Sequence, residues 1–113
     1  MVRRALPQDI PGMLELRERV LDAPWRREIL TEPSAEDLDE NNIVVVAVRK
    51  NGKVVGTGRF DHIGDGIYNG RRVATDPELQ GLGIGRKVMN LLEQTATELG
   101  GRQVTLDARA VDP

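Results

Sequence analysis

The sequence predicts an α/β protein built on one mixed sheet, and three local patterns carry that expectation. Asn51-Gly52, a strong hairpin signal, lies between the apolar run Ile43 to Val48 and the stretch Lys53 to Phe60, which makes those two stretches antiparallel neighbours. The glycine-rich stretch Gln80-Gly81-Leu82-Gly83-Ile84-Gly85 follows a strand over Ile67 to Thr75 and opens a long helical pattern. Gly100-Gly101 ends that pattern, and Gln103 to Asp107 begins a strand parallel to the one before the glycines. At 113 residues the chain is read as a single domain, 1–113, large enough to bury a core.

In chain order, Val2 to Ala5 is a short first strand. Pro7-Gln8-Asp9 is a helix entry, with Asp9 as the cap and Pro11 tolerated in the first turn. Ile10, Met13, Leu14, Val20 and Leu21 recur at helical spacing, with Arg17 interrupting the stripe. Residues 22–41 are acidic and broken by Pro24 and Pro33, so they read as irregular, with a short helix around Trp25 to Leu30. Ile43 to Val48 is an unbroken apolar, β-branched run, the pattern of a strand buried on both faces. Gly64-Asp65-Gly66 is a second turn, and Ile84, Val88, Leu91, Leu92, Thr95 and Leu99 mark one face of the long helix.

Composition excludes several classes. Lys plus Arg is 16 and Asp plus Glu is 18, a net charge of −2 without a basic tail, which argues against nucleic acid as a partner. Cysteine is absent and His62 is the single histidine, so neither a thiolate nucleophile nor a metal site is expected. No secretory segment or long apolar span is present, which argues against a membrane and points to the cytoplasm.

Gly81, Gly83 and Gly85 alternate at a helix entry, where amides lack intrahelical partners and the macrodipole is positive. Such a place binds phosphate, and with Arg86 and Lys87 one turn in, a diphosphate-bearing ligand is the expected occupant. A Walker loop would end Gly-Lys-Ser/Thr, whereas this one continues Gly85-Arg86-Lys87-Val88. A dinucleotide fingerprint would set its first glycine directly after the strand, whereas Asp76 to Gln80 intervenes here.

At these residues the chain resembles the GCN5-related N-acetyltransferase (GNAT) family. Its Gln/Arg-x-x-Gly-x-Gly/Ala signature is matched by Gln80 to Gly85, and Arg72-Val73-Ala74-Thr75-Asp76-Pro77-Glu78 and Arg86-Lys87-Val88-Met89 are similar on either side. The resemblance implies a GNAT-like acyl-CoA N-acyltransferase fold that binds acetyl-CoA as acyl donor. It places the pyrophosphate on the loop Gln80, Gly81, Leu82, Gly83, Ile84, Gly85, Arg86 and Lys87, and the pantetheine arm along Val73, Ala74 and Thr75. The implied reaction moves the acetyl group to a primary amine of a small molecule or protein, without a metal. The alternative is a catalytically impaired CoA-binding or interaction module of the same fold. Family members continue with a further helix, carrying a tyrosine that protonates the leaving thiolate, and two more strands. The sequence stops at Pro113, where that helix would begin, so the chain is expected to lack the C-terminal part of the fold. Its fifth strand would then be an uncovered edge through which copies of the chain associate.

Acyl transfer to an amine needs a group that holds or removes a proton. Relatives place a carboxylate on the cofactor strand at the position of Asn69, and an asparagine cannot serve. Asp61 and His62, ending the neighbouring strand, are candidates, His62 because an unperturbed imidazole suits proton transfer near neutrality, with a solvent-facing hairpin end as its plainer role. Tyr68 is a third, with packing as its plainer role. Trp25 either lines an acceptor pocket or plugs the core. Arg71 and Arg72 alternate across their strand, so one faces the cleft; the plainer role of either is a solvated charge or an ion pair with the acidic 32–40 segment. The acids Glu32, Glu36, Asp37, Asp39 and Glu40 favour a cationic amine over an acidic acceptor, with a solvated acidic loop as their plainer role.

Overall fold

The computed structural model describes residues 1–22 and 32–106. Five strands form one sheet: β1 (Val2–Arg4), β2 (Ile43–Val48), β3 (Val54–Gly64), β4 (Ile67–Thr75) and β5 (Gln103–Leu106). They lie in sequence order, antiparallel except for the parallel pair β4–β5. Helix α1 (Ile10–Arg17) packs on one face and α3 (Ile84–Glu98) on the other, with a short α2 (Ala35–Leu38) before β2. The mixed-sheet expectation holds, and so does the hairpin, with Gly52 at φ +87° in its turn. The irregular segment contains α2, which the sequence reading did not place. The helix expected around Trp25 to Leu30 lies outside the described residues, as does Asp107, the expected end of the fifth strand.

The α3 face is apolar. Val88, Leu92 and Ala96 meet Ile43, Val45, Ala47, Val55, Phe60 and Tyr68. Burying a side chain such as Leu92 contributes about 1.5–3 kcal/mol. The helix approaches β3 closely because glycines leave room: a Cβ at Gly56 would stand 2.7 Å from Ile84 Cγ2, and one at Gly58 would stand 2.9 Å from Leu92 Cδ1. On the other face Met13 and Leu16 cover Val46, Val48, Val54 and Ala74.

Entry to α1 differs from the expected cap. The Asp9 carboxylate turns back, accepting from the Leu6 N–H at 2.8 Å and from Arg3 at 2.8 Å, and makes no cap to the helix amides. At its other end α1 widens into a π turn, Glu18–Asp22. No helix among the described residues is long and apolar enough to cross a membrane.

Candidate functional site

β4 carries the site between its bulge and the loop that follows it. Thr57 pairs with Ala74 and Arg59 with Arg71, so Gly58 alone opposes Arg72 and Val73. Two residues against one make a β-bulge, and Arg72 sits in it at φ +56°. A left-handed arginine costs roughly 1–2 kcal/mol and persists only where its surroundings impose it. Here both Arg72 Nη atoms donate to Asp22 of the π turn, at 3.0 and 2.9 Å, which clamps α1 to the bulge. A second clamp lies further along, where Arg19 reaches Asp76 at 3.4 Å and Glu15 at 2.9 Å.

Beyond the bulge the strand has an open edge. The Asp76 N–H donates to the Val55 carbonyl, so by alternation the main-chain groups of Ala74 face β3 and those of Val73 and Thr75 face the opposite edge. The β4–β5 ladder runs from Ile67↔Gln103 to Gly70↔Leu106, and among the described residues no strand pairs with Arg71 to Thr75 on that side. β5 is the sheet's last strand among the described residues, with Val104 and Leu106 exposed.

The strand delivers the chain to the glycine loop. Asp76 accepts from the Glu78 N–H, Pro77–Leu79 forms one 3₁₀ turn, and α3 starts at Ile84. Gly81 and Gly83 have φ of +87° and +82°, and a Cβ at either would meet open space, so backbone conformation explains the glycines there. Gly85 differs, since a Cβ there would press on Thr75 Oγ1 at 3.3 Å. The N–H groups of Gly81, Gly83, Ile84, Gly85 and Arg86 have no hydrogen-bond partner among the described residues. The loop is therefore a cradle of amides at the positive end of a 15-residue helix. Leu82 differs from the expectation of free amides at 81–86: its N–H points back to the Leu79 carbonyl at 3.4 Å, as that of Gln80 does to the Pro77 carbonyl at 3.4 Å. The Lys87 N–H makes the first helical bond, to Gly83.

The proton-transfer candidates divide between the faces. His62 and Tyr68 share the α3 face with their rings 5.1 Å apart; His62 is exposed and Tyr68 is buried in the core. Asp61 lies on the α1 face, where Arg59 donates to it at 2.6 Å and Arg71 stands 3.7 Å away. The structure thus does not bring the three together. Asn69 adjoins the Asp61 group: with its amide turned to satisfy both neighbours, its oxygen accepts from Arg71 Nε at 2.8 Å and its nitrogen donates to the Thr105 carbonyl at 3.1 Å.

A buried charge cluster, missed in the sequence, adjoins the bulge on the α1 face. Asp37 accepts from Arg17 at 2.8 Å and from Arg59 at 2.9 Å, with both arginine side chains almost wholly buried. Burial alone would raise the Asp37 pKa, but hydrogen bonds and charges from Arg17 and Arg59 outweigh it and hold the carboxyl far below its ordinary range. Burial is also the largest influence on Arg17 and lowers its pKa; nearby Arg72 and Arg59 act the same way, and Asp37 opposes them. The expected pairing of Arg71 and Arg72 with the acidic 32–40 segment is therefore redistributed. Asp37 of that segment takes Arg17 and Arg59, while Arg72 goes to Asp22 and Arg71 to Asp61. A signal was present: Arg17 interrupts an apolar stripe and Arg59 sits inside an otherwise buried strand.

The Acetyltransferase (GNAT) family model matches residues 10–112 of the chain. No curated protein sequence matches it. Among solved structures, an acetyltransferase of the GNAT family from Staphylococcus aureus Mu50 is similar in fold, with TM-score 0.79 at 15% identity over 94% of this chain and 71% of that one. The aminoglycoside acetyltransferase meta-AAC0020, from an uncultured soil metagenomic sample and solved with trehalose, is 26% identical at TM-score 0.76 over 99% of this chain and 79% of that one. Rv2747 from Mycobacterium tuberculosis, solved in complex with CoA and NLQ, is 31% identical at TM-score 0.72 over 94% of this chain and 63% of that one.

Proposed function

The chain belongs to the Acetyltransferase (GNAT) family, and from that premise we propose that residues 1–113 act as an acetyl-CoA-dependent N-acetyltransferase domain whose acceptor is a primary amine. One observation carries this reading: the open edge of β4 runs directly into a loop whose amides at Gly81, Gly83, Ile84, Gly85 and Arg86 have no partner among the described residues. The donor set fits a diphosphate, with several main-chain N–H groups converging at a helix N-terminus and no side chain filling the space beside Gly81 and Gly83. Arg86 and Lys87, both exposed, add positive charge next to it.

Acetyl-CoA supplies an activated acyl group as a thioester. Val73 and Thr75 offer main-chain groups along the open edge to align the ligand's amide-bearing arm as an added strand would. The Val73 N–H, in the bulge, would donate to a carbonyl oxygen that gains negative charge. The clamp from Asp22 to Arg72 fixes that amide, so it need not reorganise during reaction. For the proton, Asp61 is the candidate on the bulge's own face, where its carboxylate is already engaged by Arg59 at 2.6 Å and approached by Arg71 at 3.7 Å. Much of the rate would come from holding amine and thioester together.

That engagement of Asp61, with His62 and Tyr68 on the other face, favours a second reading: a CoA-binding module with impaired turnover. Both readings predict that CoA raises the melting temperature, because a ligand bound only by the folded state stabilises it. Only the first predicts amine-dependent release of free thiol from acetyl-CoA. CoA that leaves melting unchanged rejects both.

A further inference from the structure

Arg17 closes the last turn of α1 and is 2% exposed. Its Nη1 donates to Asp37 Oδ2 at 2.8 Å, while Nε and Nη2 are buried without a hydrogen-bond partner among the described residues. A guanidinium does not give up its proton, and buried donors are satisfied in the great majority of proteins. Nε and Nη2 form one edge of a planar group and present two nearly parallel N–H bonds, the geometry that takes both oxygens of a carboxylate. The carboxylates of the surrounding cluster are already engaged: Asp37 is shared with Arg59, Asp61 is held by Arg59 and Arg71, and Asp22 is spent on Arg72. A bound monoanion would satisfy this buried, unpaired edge and add negative charge where Arg17, Arg59 and Arg72 repel one another. One planar edge suits a carboxylate better than a doubly charged phosphate.

We propose that the Nε–Nη2 edge of Arg17 receives the carboxylate of the acyl acceptor, so that the acceptor carries its amine and a carboxylate together, as an amino acid does. This rests on the acetyltransferase reading above, and it places the anchor beside the bulge. Arg59, which shares Asp37 with Arg17, lies directly across from Arg71, the residue preceding Arg72. The acidic segment then serves to position Arg17 rather than to attract a cation, since its Asp37 is consumed by the two arginines.

The test uses the full chain. Binding of N-acetyl-L-amino acids and of their carboxamides is measured by calorimetry, and thiol release from acetyl-CoA is measured with free amino acids and their amides. At least one acid is expected to bind at least about tenfold more tightly than its amide. Arg17→Met should abolish that preference and raise the acceptor KM at least about tenfold, with the CoA-induced melting shift retained; Arg17→Lys should recover part of the loss. Equal affinity for acid and amide across the set overturns the proposal, and because this comparison needs only the unaltered protein it stands even if Arg17→Met does not fold. A preference that survives in Arg17→Met, or tighter binding of N-acetyl aminophosphonates than of carboxylates, overturns it as well. An Arg17-dependent acid preference without thiol release from any amine upholds the carboxylate anchor and removes the acyl-transfer reading.

Discussion

On the α3 face the sheet meets Val88, Leu92 and Ala96, glycines at 56 and 58 bring the helix close, and the groups without a partner among the described residues are the main-chain amides of Gly81, Gly83, Ile84, Gly85 and Arg86. On the α1 face, next to an apolar patch under Met13 and Leu16, lie Arg17, Arg59 and Arg72 with Asp22, Asp37 and Asp61. One site is made of backbone, so almost any side chain outside the glycines can change without removing it. The other is made of side chains, so each member depends on its partners. The main-chain site suits the proposed co-substrate, and the side-chain site suits the proposed acceptor. The two meet at the bulge of β4, where Arg72 belongs to both.

The largest expected effect lies on the charged face. Asp37→Ala leaves Arg17 and Arg59 without the carboxylate they share, and breaking a buried pair by removing one partner costs about 3–5 kcal/mol. Urea denaturation at neutral pH measures it, and a loss below about 1 kcal/mol would show that the arginines are solvated in solution. The same carboxylate sets an acid response. Its folded-state pKa lies below the unfolded value of about 3.9, so its contribution is fully present above that value and is lost as pH falls through the folded one. Unfolding free energy should therefore decline below about pH 4, and decline less steeply in Asp37→Asn. The amide cradle has no titratable member and should show no such dependence.

The difference between the faces also governs how much was legible from the chain. The loop and its helix are local: glycines, a strand and an amphipathic pattern fall within residues 67–99 and obey short-range rules, as does the hairpin at Asn51-Gly52. The cluster joins positions 17, 22, 37, 59, 61, 71 and 72, and no periodicity relates them. Asp37 could be read only as one acid among several, because nothing local says that two buried guanidinium groups converge on it. The bulge was hidden for another reason. Arg72 takes a left-handed conformation that neither its own side chain nor its neighbours favour, so only the Asp22 contact and the strand pairing impose it. His62 and Asp61, adjacent in sequence, fall on opposite faces because strand residues alternate.

An intermediate effect lies in the loop. Gly83→Glu places a side chain at φ +82° and a negative charge beside the amides that would hold a diphosphate. CoA affinity is expected to fall at least about 100-fold, equivalent to about 2.8 kcal/mol, while the unliganded protein loses only about 1–2 kcal/mol for the backbone conformation. Calorimetric titration of CoA checks it; unchanged affinity would mean that the cradle is not the diphosphate site. Any acid preference anchored on Arg17 should persist in this variant, since Gly83 is no part of the charged cluster.

The smallest change in stability is expected at the residue the two regions share, because two effects oppose each other there. Arg72→Gly removes the left-handed strain, a gain of about 1–2 kcal/mol, and strips nearly buried Asp22 of its bidentate partner, a loss of about 1–3 kcal/mol. The net change in unfolding free energy should stay within about 1 kcal/mol of zero. Arg72→Ala loses the same pair but keeps a Cβ at positive φ, so it should be less stable than Arg72→Gly by about 1–2 kcal/mol, and that gap isolates the strain. Function should not show the same cancellation. Both variants release the clamp that fixes the Val73 amide, so thiol-release kcat should fall about tenfold or more, while the CoA-induced melting shift, set by amides nine or more residues further on, stays as it was. Equal stability of the two variants would mean that the bulge relaxes without Arg72, and an unchanged kcat in both would remove the Val73 amide from the mechanism.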